Sequence, residues 1–353
     1  MKQYAKMNKT VYEYHKKGCD DMANINDVAR KAGVSKSTVS NVFNGKKNVS
    51  DEIRQKVFHI ADNLGYYPNK LASALTTKRT GLTGLFIDNN SRFRHMDYKL
   101  IEGVSRELRK TNKHMILYLQ AGKDNDVNAM DINNKLIAEP IDEAIIIAPM
   151  VKDIRINELI DMRKPIVIIG QAPNHLLPRV KCLDVDNIQI SYEVTKHLLE
   201  LGHRKIALIN SDSNMTISID RMKGYIKALK EYHIEYNPEY TFNSDNTEEM
   251  GQQLGSRILN QLDMTAVITS SDEVASGLYK EAEQCGIAIP KDLSIFALGG
   301  TDKQLKPDLC TVYVDYEKLG KQAVTLLSDK EARTNQVIDA YELCIADSIK
   351  RII

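Results

Sequence analysis

Residues 35 to 43 read Ser35-Lys36-Ser37-Thr38-Val39-Ser40-Asn41-Val42-Phe43, short hydroxyl, amide and ammonium side chains set around two valines. At helical spacing Val39 and Val42 share one side, and Lys36, Ser37, Ser40 and Asn41 project from the other. Such side chains can reach base edges in a DNA groove, where an amide pairs with adenine and an ammonium with guanine acceptors. Enzyme chemistry finds no comparable foothold: there is no GxSxG elbow, HExxH pair, Walker loop or strand-linked GxGxxG. The eight histidines are scattered, and the five cysteines (Cys19, Cys182, Cys285, Cys310, Cys344) form no CxxC pair. That spacing argues against a zinc site and for small, mostly buried thiols in a reducing cytosol. A non-enzyme without metal or cofactor is expected.

A short-helix framework must hold the polar stretch. Asn26 reads as the N-cap of a first helix carrying Asp27, Val28, Ala29 and Ala32, with Gly33 as its stop. Ser35 caps a second helix over 36–43, ended at Asn44-Gly45, and Ser50 caps a third that is closed by Gly65. In the third helix Ile53, Val57, Ile60, Ala61 and Leu64 form one apolar stripe able to complete a three-helix core. The layout is that of a helix-turn-helix, although a plain helical bundle with a polar face has the same spacing. Charge is distributed to match: +2 over residues 1–23, +6 over 24–80 and −7 over 81–353, for a net +1. A basic head on an acidic body points to nucleic acid, while a solvated lysine-rich surface would explain the charge alone.

The whole chain has 353 residues, 42% of them apolar and 27% charged, as in ordinary soluble proteins of two or three domains. Its longest apolar run, 144–151, is far short of a membrane span, and no apolar leader opens the sequence. A cytoplasmic location away from membranes is expected. Beyond residue 80 short apolar strands (82–88, 114–120, 143–148, 165–169, 205–210, 266–269, 293–298) alternate with amphipathic helices (100–110, 154–162, 190–201, 222–232, 250–261, 273–285). That alternation predicts an α/β body of parallel sheets with helices on both faces. Ligands of open α/β sheets bind beyond the carboxyl ends of the strands, which singles out Asn89-Asn90, Gln120, Gly170-Gln171, residues 211–221, 270–272 and 299–301.

Taken together, Ile25-Asn26-Asp27-Val28-Ala29-Arg30-Lys31-Ala32-Gly33-Val34-Ser35, Thr38-Val39-Ser40-Asn41-Val42-Phe43-Asn44-Gly45, Val49-Ser50, Leu64-Gly65-Tyr66, Pro68-Asn69 and Leu71-Ala72-Ser73-Ala74-Leu75 resemble the start of a LacI–GalR family transcription regulator. The likeness runs from about residue 24 to Ser348; residues 1–23 read as an extension or as the product of a wrongly chosen start codon, with Met22 where such proteins begin. The resemblance implies a helix-turn-helix head over 24–70, a hinge helix and linker over 71–80, and a two-lobed, periplasmic-binding-protein-like body over 81–353. Crossovers between the lobes are expected near 169–185, 299–311 and 327–337. Lys36, Ser37 and Asn41 match positions that read base edges, and Ser35, Thr38, Ser40 and Asn44 match positions near phosphates. Leu71, Ala72 and Leu75 match the hinge, with Leu75 as the minor-groove wedge; a packed amphipathic linker is the plainer reading.

In the body, Arg221 of Arg221-Met222-Lys223-Gly224-Tyr225 and the pair Ser271-Asp272 match effector-contacting positions. The plainer roles are helix caps, Asp272 for a helix beginning at Glu273. Elsewhere the chain departs from the family: Arg94-His95-Met96-Asp97 replaces stacking aromatics, Gly170 an aspartate, Gly299-Gly300 an Asp-Asp pair, and Val314 a glutamine. Losing those acceptors while keeping Arg221 favours a small anionic or phosphorylated effector, or a protein partner, over a neutral sugar. The plainer alternative is that Asp97, Gln171 and Asp302 take over the lost roles by small loop shifts. The expected function is a ligand-responsive repressor that binds a near-palindromic DNA operator as a homodimer, since no heptad tail follows to make a tetramer. The alternatives are a catabolite-control-type regulator answering a protein partner, and a cytosolic ligand-binding protein with a vestigial head.

Overall fold

A computed structural model of the chain describes residues 23–43, 45, 48–67, 79–88, 95–120, 140–172, 176, 179–261, 263–300, 304–329, 331 and 334–352. They fall into two compact units divided between Thr80 and Gly81. In the first, helix α1 (Ile25–Ala32) begins at Asn24, not Asn26. The Asn24 side chain accepts from Asn26 N–H at 2.9 Å, and the Asp27 carboxylate accepts from Asn24 N–H at 3.0 Å. Only Asn24 stands three residues before an acid that can reach back to it, so the reciprocal cap forms there. Gly33, at φ +67°, ends the helix.

Helix α2 (Lys36–Phe43) follows, capped by Ser35 Oγ, which accepts from Thr38 N–H at 3.0 Å. Helix α3 (Asp51–Asn63) is capped in the same way by Ser50, which accepts from Ile53 N–H at 3.4 Å. Val28, Ala29, Ala32, Val39, Val42, Val57 and Ala61 make the shared buried core. Phe43 closes one end of it, edge-on to Phe58 and Tyr66 at 5.4 and 5.7 Å.

The second unit holds two six-stranded sheets. Sheet 1 contains β1 (Leu82–Asp88), β2 (His114–Gln120), β3 (Glu143–Ile147), β4 (Ile166–Ile169), β5 (Lys181–Asp184) and β11 (Asn335–Val337), in the order β11-β5-β4-β3-β1-β2. All its pairings are parallel. Helices α4 (His95–Lys110) and α10 (Tyr316–Ser328) cover one face, and α5 (Ile154–Asp161) packs on the other. Sheet 2 contains β6 (Ile206–Ser211), β7 (Thr241–Ser244), β8 (Ala266–Thr269), β9 (Ser294–Ala297), β10 (Cys310–Val314) and β12 (Tyr341–Cys344), in the order β12-β10-β9-β8-β6-β7. Only β12 runs antiparallel to its neighbour. Helices α6 (Asn187–Glu200) and α7 (Thr216–Glu231) lie on one face, α8 (Glu248–Gln261) and α9 (Asp272–Gln284) on the other.

The lobe-to-lobe crossings fall at the end of, or a few residues past, the expected 169–185, 299–311 and 327–337. The first lies between β5 and α6, after Asp184. The second is at Asp315, between β10 and α10, and the third at 338–340, between β11 and β12. The offset arises because β5 and β10 are strands of the lobe that the chain is about to leave. Asp315 N–H donates to Ala340 O and Ile338 N–H to Asp184 O, both at 2.9 Å, so the three crossings lie side by side. Among the described residues no helix is long and apolar enough to cross a membrane. Cys182 and Cys310 are buried and Cys344 half-buried, but Cys285 is exposed, against the expectation of mostly buried thiols. Burial and the nearby Asp184 push the Cys182 thiol up to about 11, despite a backbone hydrogen bond.

Candidate nucleic-acid interface and ligand cleft

In the head, α2 turns Val39 and Val42 into the core. Lys36 and Ser37 are exposed, and Thr38, Ser40 and Asn41 are half-buried. Ser35 Oγ lies 2.7 Å from Ser37 Oγ and 2.8 Å from Thr38 Oγ1, a hydroxyl cluster at the start of the helix beside its positive dipole end. Among the described residues Lys36 makes no ion pair. Arg54, from α3, donates to Val42 O at 3.4 Å and so steadies the far end of α2. Asn44 and the hinge positions Leu71, Ala72 and Leu75 lie outside the described residues.

Ligands of open α/β sheets bind beyond the carboxyl ends of the strands, so those ends are the place to look for a ligand cleft. In the second lobe Arg221, on α7, is buried and spans two of those ends. It donates from Nη1 to Ser270 O at 3.2 Å and from Nη2 to Leu298 O at 3.3 Å, so it is no helix cap. Three residues on, Gly224 lets α7 touch α6: a Cβ there would stand 2.2 Å from Ile188 O. Tyr225 OH donates to Ile206 O at 2.8 Å, holding α7 to β6. The Arg-x-x-Gly-aromatic spacing therefore places one guanidinium with two packing anchors behind it.

Asn246 Oδ1 accepts from Ser270 Oγ at 2.6 Å and from Ser211 Oγ at 3.0 Å, joining two buried serines to a half-buried amide at the ends of β6, β7 and β8. Ser271, not Asp272, caps α9, its Oγ accepting from Val274 N–H at 3.4 Å. Asp272 is the first helical residue and is 3% exposed. Its carboxylate fills the space beside Gly300, where a Cβ would meet Oδ1 at 2.0 Å, so the glycine that replaces a family carboxylate makes room for Asp272. Val314 is buried and belongs to the apolar core. Asn89-Asn90, Thr301 and Asp302 lie outside the described residues, as do the side chains of His95, Asp97 and Gln120.

Sequence reasoning missed Asp184. It ends β5 and is buried, its carboxylate accepting from Val185 N–H at 2.8 Å and Asn187 Nδ2 at 2.9 Å. Burial pushes its carboxyl up to about 7; the two hydrogen bonds oppose this, Asp220 adds to it, and Arg221 pulls it down. A carboxylate thus stays within electrostatic reach of Arg221, although Gly170 and Gly299 supply none. Its signal, a charged residue closing Lys181-Cys182-Leu183-Asp184, is hidden because that stretch reads as a crossover.

The two lobes also touch directly. Met150, after β3, and Met215, before α7, form an antiparallel β-bridge. Val151 N–H donates to Asn214 O at 2.8 Å and Thr216 Oγ1 to Pro149 O at 3.4 Å. Asp212 Oδ1 accepts from Asn214 N–H and Nδ2 at 2.9 and 3.0 Å, fixing the turn that presents Asn214.

A helix-turn-helix unit followed by two parallel-sheet lobes defines a DNA-binding transcription regulator with a periplasmic-binding-protein-like body. Residues 24–69 match the model of bacterial regulatory proteins, lacI family, and residues 195–348 that of a periplasmic binding protein-like domain. The chain is 32% identical over 323 residues to the ribose operon repressor of Haemophilus influenzae, covering 89% of this chain and 94% of that one. It is 27% identical over 308 residues to catabolite control protein A of Priestia megaterium, covering 86% and 91%. Its fold is similar to that of the lac repressor dimer bound to operator and the anti-inducer ONPF, with a TM-score of 0.78 at 22% identity over 93% of this chain and 99% of that one. The chain belongs to the LacI family, and it is a regulator of transcription, not an enzyme.

Proposed function

We propose that this regulator represses by binding a near-palindromic operator as a cytoplasmic homodimer. Lys36, Ser37 and Asn41 contact base edges, and Ser35, Thr38, Ser40 and Asn44 meet phosphates. The exposed polar side of α2, opposite its buried valines, carries this reading. Leu71, Ala72 and Leu75 form the hinge, Leu75 wedging a base step open. The body takes a small effector at the carboxyl ends of the strands, with Arg221, Ser271, Asp272 and, from the first lobe, Asp97 around it. The buried Arg221 guanidinium favours an anionic group on that effector, a phosphoryl among the candidates. The Met150–Met215 bridge supports control by lobe closure, since a ligand that seats both lobes stabilises the bridged state. Similarity to catabolite control protein A favours a protein partner as the second reading.

Binding of the full chain to its upstream DNA, measured against salt, tests the first step. Neutralised phosphates release counterions, so affinity should fall steeply with ionic strength. A flat response would count against operator binding. Leu75→Ala should retain binding to the effector while DNA bending drops. Thermal-shift screening with sugars, sugar phosphates, carboxylates and phosphocarrier protein separates the two readings of the body.

A further inference from the structure

At the amino ends of sheet 1, the far side from Asp184 and Gly170, lies a recess of about 160 Å³. Lys164 and Pro165 lead into β4, Arg179 and Val180 lead into β5, Lys181 opens β5, and Leu327 of α10 closes the wall. Among the described residues three cations line it and no carboxylate does, on a body whose formal charge is −7. Lys164 Nζ donates to Ile141 O at 2.7 Å, and Lys181 Nζ donates to Leu326 O at 3.0 Å and to Asp329 O. These carbonyls fix both ammonium groups without neutralising them, and each ammonium has three N–H groups to share.

Arg179 meets Asp161 at 3.8 Å, too long for a hydrogen bond, with both side chains more than half exposed. Such an exposed pair costs little to open. Two anchored ammoniums and one guanidinium able to turn inward form a three-sided cationic cup. A guanidinium fork matches phosphoryl oxygens in pairs, and ammonium groups add charge from the other sides.

We propose that this recess binds the phosphoryl group of a small phosphorylated metabolite, at a site separate from the cleft. Its volume is below that of ordinary ligand pockets, which suits a phosphoryl bearing a few carbons. Its concave walls, Pro165 and Leu327 among them, suit a compact ion better than the rod of a duplex. The recess joins the starts of β4 and β5 to the end of α10, so an occupant would tie together segments far apart in sequence.

Calorimetric titration of the full chain with inorganic phosphate, glycerol 3-phosphate and glycerol, at ionic strength matched with chloride, tests this. Both phosphates should bind saturably and glycerol should not. Arg179→Gln should weaken binding by about tenfold, the loss of one charge-assisted contact. Asp161→Asn should tighten it several-fold by removing the competing carboxylate. A response no different from chloride would overturn the proposal. So would binding lost with Arg221→Gln but kept with Arg179→Gln, which would move the phosphate to the cleft. A phosphate-insensitive recess whose Arg179→Gln variant instead loses affinity for duplex DNA would reassign it to nucleic acid.

Discussion

At the scale of single residues, α2 separates what reads from what holds. Val39 and Val42 are fixed by the head core, so the direction of Asn41 is set before DNA arrives. Asn41→Ala should relax preference at one symmetric pair of operator positions, at about 1–3 kcal/mol if its contact is bidentate. Binding-site selection with the variant would show this, and an unchanged profile would mean the helix is docked otherwise. In the body, Asp184 has its carboxyl raised to about 7, chiefly by burial. It is therefore neutral below that pH and charged above it, and an anion near Arg221 should bind more tightly at pH 6 than at pH 8. Asp184→Asn should remove the step, a comparison readable by titration at the two pH values. Overall stability is a poorer readout. The unfolded state binds fewer protons than the raised Asp184 between its ordinary range near 4 and 7, so acidification favours folding there. Buried His203, 2.9 Å from Thr265 Oγ1 and 3.0 Å from Lys350 O, has its pKa lowered by burial and disfavours folding as pH falls below about 6.5.

At the scale of elements, the tight α6–α7 contact explains why Gly224 follows Arg221 by three positions. Gly224→Ala would drive a Cβ into the Ile188 carbonyl, a backbone atom that cannot swing aside. A loss of about 1–3 kcal/mol is expected, measurable by urea unfolding, with an unchanged midpoint refuting the contact. The strands with long apolar runs were legible in the sequence: β1, β2 and β8 have the expected limits, β3 and β4 differ by one residue at one end, and β6 and β9 by one residue at each end. Other elements were not. Thr241-Phe242-Asn243-Ser244 and Lys181-Cys182-Leu183-Asp184 have too few apolar residues to stand out, because each is a strand only through its pairing with distant neighbours. Helix α10 escaped notice although Leu319, Ala323, Val324 and Leu327 share its buried side; Gly320 weakens its helical signal. Missing β5 hid Asp184, and missing α10 hid one wall of the cationic recess.

At the scale of the whole molecule, a near-palindromic operator calls for a two-fold assembly, and a homodimer is expected. Light scattering at operator-binding concentrations checks this, and a stable monomer or tetramer would contradict it. The three crossings between lobes carry a further consequence, one of timing. During synthesis, β1 to β5 emerge long before β11, which borders β5, and before α10, which packs against Leu100 and Val104 on α4. Sheet 1 thus spends most of translation with an open edge and an uncovered apolar face, a state prone to misassociation and suited to chaperone care. The head has its own core, drawn from residues between Ile25 and Tyr66. A message cut short before residue 315 would therefore yield a DNA-reading head attached to lobes that cannot close, a repressor with its reader intact and its sensor lost.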